Sequence, residues 1–307
     1  MMKEIKNYWY LIVISFSFLS INAQDLEPRS LSAMPINGNF LVASYGYSAG
    51  SILTDGSIPI EDLETQLNSV VVAYARSFKL FNKLAKFDAV IPYSFAKFNG
   101  KVLEIDSTVS RQGLGDPLFR ISMLLIGAKP LNMADFIKSE QEKFKFGVSF
   151  RVRMPLGQYD PEKLLNLGAN RWAFRFGTAA SYTFINRIIL EGHLDLWMFT
   201  KNKEFFNGNL IEQNPLLAAQ MHAIYILKPG IWVTGSFGGT GWGETKINGV
   251  DKNDPQKNSK VGIAFAYKLN KGSSLKLLYS NGLITSYGAN LKSVLLTYQF
   301  GWFDKKE

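Results

Sequence analysis

Val294-Leu295-Leu296-Thr297-Tyr298-Gln299-Phe300-Gly301-Trp302 alternates between two kinds of residue. The even positions hold Val, Leu, Tyr, Phe and Trp, and the odd ones Leu, Thr, Gln and Gly. Successive side chains of an extended strand point to opposite faces. One face of this stretch is therefore apolar and ends in aromatics, and the other is small or polar. A terminal strand of this kind resembles the signal read by the machinery that assembles β-barrels into outer membranes. The polar tail 304–307, Asp-Lys-Lys-Glu, departs from that pattern, because such signals close the chain.

The same alternation recurs upstream. Phe144, Phe146, Val148, Phe150, Val152 and Met154 oppose Lys145, Gly147, Ser149, Arg151 and Arg153. Trp172, Phe174 and Phe176 oppose Arg171, Ala173 and Arg175. Ile188, Leu190, Leu194, Leu196 and Met198 oppose Glu191, His193, Asp195 and Trp197, and Val261, Ile263, Phe265 and Tyr267 oppose Lys260, Gly262, Ala264 and Lys268. The polar faces carry charge, which fits solvent outside a soluble sandwich or water inside a barrel.

About twelve strands are predicted, near 40–50, 66–80, 83–98, 117–127, 143–154, 171–184, 187–200, 213–227, 230–242, 259–269, 272–281 and 290–302. Ten or fourteen are the alternatives. Tight connections at Phe81-Asn82, Ile185-Asn186, Lys228-Pro229 and Asn270-Lys271 alternate with longer polar ones at 52–64, 99–116, 155–170, 201–212 and 243–258. Membrane barrels have short periplasmic turns and long outer loops. The expected fold is thus an all-β, antiparallel, up-and-down transmembrane barrel over 39–303, with both termini periplasmic. The long connection 128–142 falls on the short side, and Met133-Ala-Asp-Phe-Ile-Lys within it predicts a helical turn.

Outside the barrel, Lys3 and Lys6 precede an apolar run from Tyr8 to Ile21, and Ala23 offers a small residue for cleavage. Residues 1–23 read as an export signal, because the run is shorter than the ~20 residues of a spanning helix. Residues 24–38, with Pro28 and Pro35, read as a periplasmic lead-in or a small plug. No later segment is apolar enough to span as a helix, although 47% of the chain is hydrophobic and 14% aromatic. The apolar residues are therefore dispersed, as barrel strands require.

The chain has no cysteine, which excludes a lipid-modified cysteine, disulfides and thiolate chemistry. Its net charge of +9 falls to +8 once Lys3, Glu4 and Lys6 leave with the signal. In an exported protein that charge faces outer-membrane lipid, lipopolysaccharide or anionic solutes rather than nucleic acid. No cofactor is expected.

Gly238-Gly-Thr-Gly-Trp-Gly243 lacks the Lys-Ser/Thr of a phosphate loop and reads as a glycine-lined strand entering an outer loop. Only two histidines exist, His193 and His222, so a multi-histidine metal site is not expected. Lys145, Glu191, His193, Asp195 and Trp197 read as a luminal polar ladder. A Ser-His-acid hydrolase built around His193 is the third-ranked functional alternative. Arg151, Arg153, Arg171 and Arg175 fall on neighbouring strands near the expected outer mouth, where like charges repel. They predict either an ion network, with Asp195, Glu191, Asp116 and Asp160 as offsets, or a site that guides anionic solutes.

The loops add a more specific signal. Gly113-Leu-Gly115-Asp116-Pro117 precedes one strand; Pro155-Leu-Gly157-Gln-Tyr159-Asp160 leads into Asn166-Leu-Gly168-Ala-Asn170-Arg171-Trp172. Over 113–182 the chain resembles the MetA-pathway of phenol degradation family of outer-membrane transporters. Members commonly show Phe-x-Pro after the tryptophan, whereas here Arg175-Phe176 follow Phe174. The resemblance implies a barrel for passive passage of small hydrophobic or aromatic solutes, and it carries no catalytic residues to transfer. The second alternative is a structural or surface-interaction barrel with a plugged lumen.

Overall fold

The computed structural model describes residues 26–53, 60–102, 104–185 and 187–304. The expected export signal, Gln24, Asn186 and the last three residues of the tail lie outside them. The strands are β1 (Gly38–Leu53), β2 (Ile60–Leu80), β3 (Lys83–Val102), β4 (Ile105–Leu114), β5 (Leu118–Ile126), β6 (Phe144–Arg153), β7 (Ala173–Phe184), β8 (Ile188–Phe199), β9 (Asn202–Phe205), β10 (Asn209–Gln213), β11 (Leu216–Lys228), β12 (Ile231–Trp242), β13 (Thr245–Ile247), β14 (Val250–Asp251), β15 (Ser259–Lys268), β16 (Ser273–Ile284) and β17 (Gly288–Phe303). Among the described residues one helix, α1, covers Met133–Lys138.

The large sheet runs β2-β1-β17-β16-β15-β12-β11-β8-β7-β6-β5-β3, and pairing of β2 with β3 closes it into a twelve-stranded antiparallel barrel. The first and last strands meet along their whole lengths, from Gly38 opposite Phe303 to Leu53 opposite Gly288. β4 pairs with the far half of β3 and β5 with the near half, so the two form one wall strand interrupted at 115–117. Closure leaves no sheet edge in the apolar band, as a lipid environment demands.

The alternation seen in the sequence becomes an inside and an outside. On β17, Val294, Leu296, Tyr298, Phe300 and Trp302 are 41–48% exposed, while Leu295, Thr297 and Gln299 are at most 5% exposed. Leu194, Phe265 and Leu277 face outward in the same way. This apolar outer band over a polar interior makes the chain a multi-pass β-barrel of the outer membrane.

At the turn end, Phe81 and Asn82 both take positive φ, the backbone a two-residue hairpin needs. The turn after β11 falls at Pro229-Gly230, one residue beyond the expected Lys228-Pro229, and Gly230 (φ 84°) supplies its left-handed position. The helical turn expected in 128–142 is α1, with Asn132 capping Asp135 N at 3.0 Å.

Four expected loops prove to be partly strand. β2 and β3 are 21 and 20 residues long, against about 9–11 needed to span a bilayer. Together with β4 they carry the ladder well past the apolar band, so strand occupies most of 99–116 and the latter part of 52–64. There the outer face turns polar at Asp62, Glu64 and Gln66, whereas Leu63, Ala96 and Phe98 on the inner face pack with Leu167 of the loop, and backbone pairing continues. Within 201–212 and 243–258, β9, β10, β13 and β14 pair into a separate four-stranded sheet over the loop end.

Candidate functional site

Residues 26–37 lie inside the barrel and touch several arcs of its wall. Leu31 and Met34 pack with Phe40, Val42, Val71, Leu84 and Leu124 in an apolar cluster toward the turn end. On another arc, Leu26 sits against Gly238 and Gly262; a Cβ at Gly262 would lie 2.6 Å from Leu26 Cδ1. The 128–142 connection supports the segment at the turn end, where Ile36 N donates to Leu131 O at 2.8 Å and Ala128 packs on the apolar cluster.

A charged row crosses the wall beside this segment. Strand register places Asp88 opposite Arg120, Arg120 opposite Arg151, Arg151 opposite Arg175, and Arg175 opposite Trp197. All five are buried. Three adjacent guanidiniums repel unless acids stand among them. Glu27 supplies the shared acid: its Oε2 accepts from Arg120 Nη1 at 2.5 Å, and its Oε1 accepts from Arg151 Nη2 and from Arg175 Nη1 at 3.1 Å. Asp88 Oδ2 takes Arg120 Nε at 2.7 Å, and Asp195 Oδ2 takes Arg175 Nη2 at 2.5 Å. The Glu27 amide also donates to Gln220 Oε1 on β11 at 3.0 Å, so one residue ties the charged arc to a distant strand.

The expected arginine cluster is thus split. Arg151 and Arg175 come together, but deep in the lumen and ion-paired rather than at an open mouth. Arg153 lies over the Trp197 ring at 5.8 Å, with Arg175 also near that ring at 5.6 Å. Arg171 precedes β7 rather than beginning it; it donates to Gln213 Oε1 and sits over Phe199 at 4.7 Å. Of the expected offsets Asp195 pairs with Arg175, and Asp116 lies within electrostatic reach of Arg153 and Arg171. Asp160 pairs with Lys163, Asp116 binds backbone amides, and Glu191 binds Ser30 and His193. Sequence reasoning missed Arg120, Asp88 and Glu27. Arg120 carries the same inward charge signal as Arg151, whereas the role of Glu27 needs the path of the lead segment.

The expected ladder is also divided. Trp197 and Asp195 join the arginine row. Lys145 stands near the turn end and donates to Glu142 O at 2.9 Å. Glu191 and His193 meet Ser30 of the lead segment: Ser30 N and Oγ donate to Glu191 Oε1 at 3.0 and 3.2 Å, and Ser30 Oγ lies 3.3 Å from His193 Nε2. His193 and His222, the two histidines of the chain, have ring centroids 5.2 Å apart.

At the loop end, the segment 155–170 folds over the interruption between β4 and β5. Asp116 accepts from Gly157 N at 3.0 Å through Oδ1 and from Ala169 N at 2.9 Å through Oδ2. Burial pushes its carboxyl above the ordinary range, and these two amides oppose that shift. Gln158 N donates to Leu114 O, Gly168 N to Gln158 O, and Gly115 N to Pro92 O. A Cβ at Gly157 would lie 2.7 Å from Asp116 Oδ1, and one at Gly168 would lie 2.8 Å from Gly157 C. Asn166 closes the inner turn by accepting from Asp160 N and donating to Asp160 O. Tyr159 and Asn170 reach Asn202 and Glu204 beneath the small sheet. Gly113 (φ 148°) lies against Gln158, Pro155 begins the loop, and Trp172 ends it, stacked on Phe174.

Between the lead segment and the wall, a cavity of about 50 Å³ remains, lined by Leu31, Met34, Leu84, Met123, Leu124 and Gly147 among others. A cavity that binds benzene measures ~150 Å³. This cavity is too small for an aromatic ring.

A family model described as "Putative MetA-pathway of phenol degradation" matches residues 42–289. Among solved structures, an outer membrane channel from Pseudomonas putida superposes with a TM-score of 0.77 at 19% identity, covering 90% of this chain and 100% of that one. The β-domain of the Bordetella autotransporter BrkA follows with a TM-score of 0.51 at 11% identity, covering 86% and 99%. These likenesses concern the fold. No curated protein sequence matches the chain.

Proposed function

We propose, on the premise that this chain belongs to the MetA-pathway of phenol degradation family, that it passes small hydrophobic or aromatic solutes across the outer membrane through a lumen closed at rest by residues 26–37. The observation that carries this reading is the nature of the closure. A short, irregular, non-covalently held segment fills the interior, and one carboxylate, Glu27, holds it to three strands. Wall side chains alone would make a permanent core; a tethered segment is removable.

The description of the family supports the solute class, and the Pseudomonas putida structure, named a channel, supports passage. The ~50 Å³ left around Leu31 and Met34 implies that the segment shifts before an aromatic solute enters. The same small volume favours the second reading, a barrel whose plug never leaves and whose loop-end sheet makes surface contacts. A hydrolase finds no such support. Ser30 Oγ and Glu191 Oε1 both contact His193 Nε2, whereas a Ser-His-acid relay uses the two different ring nitrogens.

Accumulation of radiolabelled naphthalene by cells whose outer membrane carries the protein is the test. Uptake above that of cells lacking the protein is expected, rising further when residues 26–37 are deleted. Equal uptake in all three strains would leave the second reading standing.

A further inference from the structure

Glu191 and His193 are two residues apart on β8 and share its inner face. Register with β11 sets His222 directly opposite Glu191 and Gln220 opposite His193. Two imidazoles and a carboxylate from adjacent strands therefore converge, and one ligand-type atom from each lies within 4.8 Å of the others. The side chains of Glu191 and His193 are 2% and 6% exposed, and His222 is 2% exposed. Ser30 adds a hydroxyl 3.3 Å from His193 Nε2 and 3.2 Å from Glu191 Oε1.

His222 carries the independent clue. Its Nδ1 lies 2.8 Å from Ser236 Oγ, while its Nε2 is buried with no hydrogen-bond partner among the described residues. A buried imidazole nitrogen without a partner is costly. With Nδ1 donating to Ser236, Nε2 presents a lone pair, which is the outer-shell arrangement that orients a metal-binding histidine. The nearby cation Arg29 acts on Glu191 through its charge but places its guanidinium over the Trp232 ring at 5.6 Å and against Ser32 Oγ at 3.3 Å.

We propose that Glu191, His193 and His222, through its Nε2, bind a divalent ion of the zinc type, with Ser30 Oγ or a water as fourth ligand. Ligands about 2.0–2.2 Å from a tetrahedral zinc stand roughly 3.4 Å from one another. Small side-chain rotations inward from the present separations complete the set. Two nitrogens with one carboxylate suit zinc, cobalt, nickel or copper rather than calcium or magnesium, which take oxygen ligands. The ion displaces Ser30 N–H from Glu191 or recruits its hydroxyl, so the site joins wall to lead segment. The proposal is independent of what solute passes.

The chain has only two histidines, so protein purified without a histidine tag reports on this site alone. Titration with Co²⁺ is expected to give one equivalent with the intense visible bands of tetrahedral coordination, displaced by Zn²⁺. His193→Asn and His222→Asn should each weaken binding by about 10–100-fold or more, judged from the effect of losing even outer-shell partners. Because those variants test assembly as well as binding, X-ray absorption of the zinc-loaded unmodified protein provides the second measurement, with imidazole scattering from two histidines expected. Absence of stoichiometric binding, or a zinc shell without imidazole, would overturn the proposal.

Discussion

Residues 26–37 and residues 155–170 are both irregular segments folded against the barrel, and they are held by opposite means. In the lumen, Glu27 gathers three guanidiniums from three strands distant in sequence, beside a backbone bond from Ile36 N to Leu131 O and the apolar contacts of Leu31 and Met34. At the loop end, Asp116 gathers two backbone amides, and Gly157 and Gly168 let the loop approach it closely. The first is fastened by charge and the second by backbone fit. A substitution that neutralises charge while preserving shape should separate them.

The largest effect is expected from Glu27→Gln. Breaking a buried ion pair from one side costs about 3–5 kcal/mol, here spread over Arg120, Arg151 and Arg175. A cysteine placed at Ala33 should become reactive toward a water-soluble maleimide in this variant, with the 155–170 loop unchanged. If Ala33→Cys stays protected, the segment is held by its apolar contacts at Leu31 and Met34 instead.

Asp116→Ala should do the converse. It leaves the amides of Gly157 and Ala169 without their acceptor, at about 1–3 kcal/mol, and should loosen the loop so that trypsin cuts faster after the already exposed Lys163, while the lead segment stays in place. Equal trypsin resistance in the two proteins would mean that contacts such as Gln158 N to Leu114 O suffice on their own.

Ser30→Ala sharpens the picture within the lumen. Loss of one hydroxyl bond to a carboxylate is worth about 1.5–3 kcal/mol, so Ala33→Cys labelling should rise less than in Glu27→Gln. A rise as large would shift the main anchor from the arginines to Glu191 and His193. Asp304→Asn is the control at the other extreme. Its pairing with Arg76 at 2.6 Å is solvent-exposed, and exposed pairs contribute little. Resistance of the barrel to heat-induced unfolding in gels should not change measurably.

The sequence made the wall legible and the interior only partly so. Alternation in 294–302, 144–154 and 188–198 reports which side chains meet lipid, and those assignments hold at Leu194, Phe265 and Trp302. The extent of the ladder was less visible, because the outward faces of the far ends of β2 and β3 carry polar residues such as Glu64, Gln66, Lys97 and Lys101, which reverses the pattern read for lipid contact. Luminal partners were hardest to see. Arg151 and Arg175 are recognisable as inward charges, but their acid lies 124 and 148 positions away in a segment without periodicity. His222 meets His193 only through a cross-strand register that alternation alone does not set. The loop motif stood out because a short run of glycines, Asp116 and Asn166 is a local device, readable without the rest of the fold.

The central claim is that a segment fastened by Glu27 closes the barrel. Ion conductance of single proteins in planar bilayers, comparing the unmodified chain with Glu27→Gln, tests it most directly. The account predicts a small, mostly closed conductance for the first and frequent large openings for the second. Identical, persistently small conductance in both proteins would contradict it.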